Sequence, residues 1–203
     1  MPDDQGPLGT CTRHGLGKGI CNGLDAGKWT GGNKVDVIQE EVVEKIKMIH
    51  NDDTHGKFPW DFDGKTIEIY AENPKEILKV ELYVKRLQNK EDIDMNLYEY
   101  VLVYKYSANE DHCVYIVSYD ANKQVFWCMN SQGTLEAAFE KKLSDVKYVS
   151  RLSCLVKEDS SKNRFKSSGS FSDRNWSPKS KKIKRTSKER RTHLRTYPPS
   201  KKD

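Results

Sequence analysis

The chain has 203 residues, of which 35% are hydrophobic and 10% aromatic, enough to build one folded domain with an extension. No stretch approaches the roughly 18 consecutive apolar residues of a membrane-spanning helix, and the N-terminus lacks the basic and apolar regions of a signal peptide. We therefore expect an intracellular protein, cytoplasmic or nuclear, without a membrane partner. Five cysteines, none in a C-x-x-C pair, support neither a zinc site nor a disulfide scaffold, so reduced thiols are expected.

Charge divides the chain into two parts. Residues 157–203 contain 16 lysines and arginines against 5 acidic residues, whereas residues 1–156 contain 19 against 25. This asymmetry predicts an acidic folded domain over residues 1–156 and a basic tail over residues 157–203. Apolar residues nearly vanish from the tail, which is rich in Ser, Lys and Arg, so we expect it to be disordered when alone.

The first 64 residues predict helices followed by a loop. Nine of the 13 glycines lie in residues 1–33, yet the pattern over residues 12–22 predicts a buried helix whose small residues allow close packing. Residues 35–50 have apolar side chains at three- and four-residue steps and predict an amphipathic helix. Residues 51–64 combine turn formers with aromatics and predict an ordered loop. Their acidic residues lack EF-hand spacing, so a cation site is the weaker alternative.

Strand patterns dominate the second half of the domain. Alternating or continuous apolar residues predict strands over residues 65–71, 98–106, 112–120, 124–130 and 146–156. Short turns separate the middle three, which predicts an antiparallel meander. Pro74 is predicted to open a helix, because proline suits a first helical position, and residues 135–143 are predicted to form another. These elements together predict an α+β fold.

Cys11 stands just before the first predicted helix. The free N–H groups and partial positive charge of a helix N-terminus favour thiolate over thiol, so we expect a lowered pKa at Cys11. A nucleophilic cysteine also requires a base within hydrogen-bond reach and a third group that orients the base. His112, at the start of a predicted strand, and Asn130, at the end of the next, supply one such set. His14 is a rival base, although one helical turn places it beside the thiol rather than across a cleft.

Three blocks of sequence, in order, resemble motifs of the papain-like cysteine peptidases of the papain and cathepsin type. Residues 5–11, Q-G-P-L-G-T-C, resemble the family pattern Q-G-x-x-G-S-C. Residues 112–119, H-C-V-Y-I-V-S-Y, resemble H-A-V-x-x-V-G-Y. Residues 126–134, F-W-C-M-N-S-Q-G-T, resemble Y-W-x-x-K-N-S-W-G-T. Residues 34–110 show no feature of the family.

The resemblance implies both a fold and a set of site residues. In the fold, an N-terminal helical half bearing Cys11 packs against an antiparallel β half bearing His112 and Asn130. In the site, Cys11 is the nucleophile, His112 its base, Asn130 the residue that orients His112, and Gln5 an oxyanion donor.

The implied activity is hydrolysis of a peptide or protein substrate through an acyl-enzyme intermediate, without a metal or organic cofactor. Thr12 and Gln132 stand where the family has tryptophans, so an aromatic shield over the His112–Asn130 hydrogen bond is expected to be missing. Two alternatives share the fold. One is a catalytically silent scaffold that binds partners, and the other uses the same triad for transamidation or isopeptide hydrolysis.

A third alternative makes the basic tail the active part. Its segment S-P-K-S-K-K-I-K-R resembles a nuclear-import patch, and its positive charge suits nucleic acid or another acidic partner. A solvated tail without a partner is the plainer interpretation.

Overall fold

The computed structural model describes residues 8–49, 58–88, 93–130 and 138–157, all in one compact unit. These residues form two α-helices and eight strands: α1 (Leu8–Asp25), β1 (Asp36–Val37), α2 (Gln39–Ile49), β2 (Thr66–Asn73), β3 (Glu76–Arg86), β4 (Glu99–Lys105), β5 (Asp111–Asp120), β6 (Val125–Met129), β7 (Ala138–Lys142) and β8 (Val146–Lys157). Short 3-10 helices, Pro59–Phe62 and Leu143–Asp145, precede β2 and β8.

All eight strands belong to one curled antiparallel sheet in the order β1-β2-β3-β8-β4-β5-β6-β7. The predicted α+β class is therefore confirmed. The predicted meander is also confirmed, because β4, β5 and β6 are neighbours. The last strand, β8, inserts between β3 and β4 and joins the two parts of the sheet.

Both helices predicted near the N-terminus are present with shifted starts. Helix α1 begins at Leu8, so Cys11 lies inside its first turn rather than just before it. Helix α2 begins only at Gln39, because Asp36–Val37 pairs with β2 instead of extending the helix. The inner face of α2 buries Val42, Val43 and Ile46, as its apolar spacing predicts.

Two other predicted helices are wrong. Residues 76–86 form β3, which a tight turn at Pro74 and Lys75 joins to β2, so Pro74 begins no helix. The buried side chains of β3 alternate as in a strand with one buried face, and they are Leu78, Val80, Leu82 and Val84. Ala138–Lys142 likewise forms β7 and pairs with β6, whereas residues 135–137 lie outside the described residues. Residues 66–86 thus form a β-hairpin of the sheet, where the sequence predicted a strand followed by a helix.

The aromatic loop packs onto the domain where it is described. Phe58 stacks on Trp60 with ring centroids 4.5 Å apart, and both rings meet Tyr148 of β8 edge to face. Residues 51–57 lie outside the described residues, so the prediction for that part of the loop, including its weak cation alternative, stays untested. Residues 158–203 also lie outside, and the disorder and partners of the tail stay predictions.

Apolar side chains pack on both faces of the sheet. Helices α1 and α2 cover one face, where Leu16, Ile20 and Ile46 are fully buried against the strands. On the other face, the curl of the sheet encloses a second cluster around Tyr100 and Phe126.

Glycines set the spacing between α1 and its neighbours. A Cβ atom on Gly17 would lie 2.6 Å from Cγ2 of Val43 in α2, and one on Gly19 would lie 2.9 Å from Cδ2 of Leu152 in β8. Real Cβ atoms do not approach other atoms so closely, so α1 could not pack this tightly with alanine at these positions. The close packing predicted from the glycine content is confirmed.

Gly17→Ala is expected to lower the free energy of unfolding by about 1–3 kcal/mol, because the new methyl group overlaps a stiff β-branched side chain. Gly15→Ala is the matched control in the same helix, since its Cβ would find its nearest neighbour, Cγ1 of Val101, at 3.4 Å. We expect that control to be neutral or up to about 1 kcal/mol more stable, because alanine favours helix. Urea unfolding measures the stability of both variants. Equal losses of stability in the two would show that Gly17 does not set the distance between α1 and α2.

Helix α1 ends in a turn that delivers a lysine to the sheet. Gly27 has φ 68, its N–H bonds the carbonyl of Leu24, and the N–H of Lys28 bonds the carbonyl of Gly23. This pair of bonds is the Schellman pattern of helix ends. It carries the Lys28 ammonium to within 2.5 Å of the Glu99 carboxylate at the start of β4.

Glu99 is the centre of a buried polar network. Its side chain is 3% exposed, and it accepts a 2.6 Å hydrogen bond from the hydroxyl of Tyr115 in β5. Lys28 also donates to the carbonyls of Met95 and Tyr98. The network ties the end of α1 to the strands that carry the candidate site.

Candidate active site

Cys11 lies where the first turn of α1 meets the sheet. Its Sγ accepts a hydrogen bond from the backbone N–H of Cys113 in β5, with 3.2 Å between nitrogen and sulfur. The side chain of Cys11 is only 2% exposed. The thiol is therefore held against β5 by a contact that spans 102 residues of sequence.

This contact forms beyond the end of β6. The pairing of β5 with β6 reaches Tyr115 opposite Met129, and Cys113 lies past that last pair. Buried backbone N–H groups need an acceptor, and Cys11 provides one to Cys113. Asn130 directly follows β6, so the thiol and Asn130 lie at the same end of the β5–β6 ribbon.

His112 lies beside Cys113 on β5 and is 7% exposed. The side chain of Asn130 is close enough to raise the pKa of the imidazole, as a hydrogen-bonding neighbour would, against the effect of burial. Successive side chains of a strand point to opposite faces. Cys113 accordingly belongs to the core under α1, whereas His112 contacts Tyr104 of the opposite cluster. The thiol thus meets the backbone of β5 next to the residue that carries the imidazole.

Two tyrosine rings cover the imidazole. Tyr104 is the register partner of His112 in β4, and the two rings meet edge to face with centroids 5.6 Å apart. The ring of Tyr106 lies 5.7 Å away on a tilted plane. The expected loss of an aromatic shield over the hydrogen bond between His112 and Asn130 stays a prediction, because Gln132 lies outside the described residues. The imidazole itself nevertheless contacts two tyrosines of β4. The alternating tyrosines of residues 98–106 were visible in the sequence, but their register against His112 was not.

Burial disfavours charge on both members of the candidate pair. It raises the pKa of the Cys11 thiol, although hydrogen bonds from the backbone N–H groups of Cys113 and Thr12 act in the opposite direction. Burial also lowers the pKa of His112 to about 4, while the bond to Asn130 opposes this and the charge of Lys141 adds to it. The lowered pKa expected for Cys11 at a helix start is thus wrong. At neutral pH the pair rests as a thiol and a neutral imidazole.

The remaining predicted residues divide between described and undescribed parts. Gln5 lies outside the described residues, as does the segment 131–137 after Asn130. The rival base His14 is half-buried, and burial lowers its pKa while the charges of Glu40 and Glu44 in α2 act against that shift. His14 therefore lies on the side of α1 that faces α2.

A scan against protein-family models and searches of curated proteins and of solved structures found no match to this chain.

The other four cysteines are free thiols of the core, as predicted. Cys113, Cys128 and Cys154 are buried, and Cys21 of α1 is half-buried against the core beneath that helix. Burial raises the pKa of Cys21 and Cys128 to about 12.

Within the described ranges, no group of three or more His, Cys, Asp or Glu side chains is placed to hold a metal ion. In the same ranges, no helix is long and apolar enough to cross a membrane.

Proposed function

We propose that this protein is a papain-like cysteine peptidase that hydrolyses peptide bonds with Cys11 as nucleophile and His112 as base. The observation that carries the proposal is the meeting of the Cys11 thiol with β5 next to His112. The side chain of Asn130 is close enough to His112 to act on the pKa of its imidazole. These residues come from a helix start, a strand start and a strand end that are far apart in sequence. Their order along the chain also matches the order of the three motif blocks.

The arrangement of elements supports the same proposal. A helix that carries the cysteine packs on an antiparallel sheet, and neighbouring strands of that sheet lead to the histidine and the asparagine. The hairpin of β2 and β3 departs from the helical half that the resemblance implies. The proposal therefore rests on the elements around the site rather than on the whole fold.

In the proposed acylation, neutral His112 takes the proton of Cys11 as sulfur attacks the carbonyl carbon of the peptide. A C–S bond forms, and the carbonyl oxygen becomes an oxyanion. Cys11 lies in the first turn of α1, and its backbone N–H is proposed as one donor to that oxyanion, as the resemblance implies. Gln5 is proposed as the second donor. The imidazolium then protonates the leaving amine as the C–N bond breaks.

Deacylation reverses these roles with water as the nucleophile. His112 takes a proton from the water, which attacks the thioester, and the C–S bond breaks as the proton returns to sulfur. Asn130 keeps the imidazole in one orientation through both steps. The proposed proton transfer requires the imidazole of His112 to reach the Cys11 thiol around the start of β5, since His112 and Cys113 belong to opposite faces of that strand.

Labelling with an epoxide-type inhibitor of cysteine peptidases tests the proposal on the full-length protein. We expect one adduct by intact mass, located on Cys11 by peptide mapping and lost in Cys11→Ala. Cys21→Ala is the matched control, since it removes a half-buried thiol of the same helix and should leave the adduct in place. An adduct spread over several thiols, or one that survives Cys11→Ala, would contradict the proposal.

A catalytically silent scaffold is the second candidate, and the burial of Cys11 in the core under α1 favours it. A folded wild-type protein that forms no adduct would support this candidate.

Transamidation and isopeptide hydrolysis share the same acyl-enzyme, and an added amine acceptor that captures the acyl group would distinguish transamidation. Binding of nucleic acid or an acidic partner by the tail stays a separate prediction. It is tested by salt-dependent binding that disappears when residues 157–203 are deleted.

A further inference from the structure

Tyr104 lies in the surroundings of both members of the proposed pair. Its ring plane stands at 89° to the imidazole of His112. Burial raises the pKa of Tyr104 to about 12, and the charges that Tyr106, Cys128 and Cys11 would carry when ionised contribute in the same direction, in that order. A tyrosine that contacts the base and lies within electrostatic reach of the nucleophile is suited to fix their geometry.

The edge strand β7 holds Tyr104 from another side. The ammonium of Lys141 lies 3.9 Å from the centroid of the Tyr104 ring, at the distance of a cation–π contact. The ring of Phe139 meets the same tyrosine with centroids 6.1 Å apart. Lys141 is half-buried, whereas its neighbour Lys142 is exposed. The ring of Tyr104 is therefore fixed by contacts from both β5 and β7.

We propose that Tyr104 is a positioning residue that keeps the His112 imidazole turned toward Asn130, and that Lys141 anchors Tyr104 in that position. The inference rests on the proposed function and extends it to two residues outside the three motif blocks. An imidazole has two side-chain torsions, so the single bond to Asn130 does not by itself fix the plane of the ring. An edge-to-face contact with Tyr104 supplies the second restraint.

Lys141 also acts on His112 through its charge, which disfavours the imidazolium. The titratable groups around the imidazole come from several elements. They are Tyr104 and Tyr106 from β4, Lys141 from β7, and the neighbouring Asp111 with its partner Lys147 of β8. Asp111 is already bonded to Lys147 at 2.6 Å. Removing the charge of Lys141 should therefore raise the pKa of His112 from about 4 toward its ordinary value of 6.5.

Two measurements on the full-length chain test the inference: NMR titration of the His112 imidazole, and the rate of Cys11 labelling between pH 4 and 9. Tyr104→Leu is expected to slow labelling by about tenfold or more at pH 7, because a misplaced base loses reach to the thiol. Tyr104→Phe keeps the ring and should retain most of the rate. Lys141→Met should raise the titration midpoint of His112 by about half a pH unit or more, whereas Lys142→Met should leave it unchanged.

The inference is overturned if Tyr104→Leu leaves both the labelling rate and the His112 titration as in the wild type. It is also overturned if Lys141→Met and Lys142→Met shift that titration equally. Lys141 is half-buried at the sheet edge, so its variant keeps the test open if Tyr104→Leu does not fold. A wild-type protein that takes no label contradicts the proposed function alone, since the titration of His112 reports on Tyr104 and Lys141 without catalysis.

Discussion

His112→Ala is expected to slow epoxide labelling of Cys11 at pH 7 by about 100-fold or more, in line with the typical contribution of a general base. The physical reason is the burial of the thiol, which raises its pKa and leaves few thiolates unless a base takes the proton. Rates of adduct formation by intact mass at several inhibitor concentrations measure the effect. The labelling rate of Asn130→Ala is expected to lie between those of His112→Ala and the wild type. The reason is that this variant loses the residue that orients the base but keeps the base itself.

The pH dependence separates a lost base from general damage to the fold. In the wild type, His112 is neutral above about pH 4, so the labelling rate should change little between pH 6 and 8. In His112→Ala, the rate should instead rise about tenfold per pH unit as the thiol itself ionises. His14→Ala is the control histidine and should keep the wild-type profile. A flat, slow profile in His112→Ala would contradict the role of His112 as base.

Glu99→Leu is expected to lower the free energy of unfolding by about 3–5 kcal/mol, the usual effect of leaving one charge of a buried pair without its partner. The ammonium of Lys28 would lose a carboxylate at 2.5 Å, and the hydroxyl of Tyr115 would lose its acceptor. Urea unfolding at pH 7 measures the loss.

Two controls identify the ion pair as the cause of that loss. The double variant Lys28→Met with Glu99→Leu should recover much of the stability, because no buried charge then lacks a partner. Glu81→Leu removes the acidic member of a surface pair with Lys157 and should have a far smaller effect. If the Glu99 and Glu81 variants lost the same stability, the buried network would not be what ties α1 to the sheet.

Secondary structure could be predicted where apolar spacing matched only one kind of element. Three- and four-residue steps identified α2, and the apolar run of residues 100–104 within the predicted strand 98–106 identified β4. The helix predicted for the segment that forms β3 is wrong, because the apolar residues of that segment satisfy both a helical and an alternating spacing and because it contains good helix formers. Pairing with β2 on one side and β8 on the other decides the strand. The same reason applies to β7, which pairs with β6.

The residue types of the candidate site and their order were determined by the sequence alone, since Cys11, His112 and Asn130 stand in recognisable blocks. Their surroundings were decided by the tertiary structure. The insertion of β8 between β3 and β4, the register of Tyr104 against His112 and the contact of Lys141 all join residues distant in sequence. Burial is likewise a property of the folded chain, because it depends on how closely α1 packs on β5. That packing reverses the direction in which a helix start alone would move the pKa of Cys11.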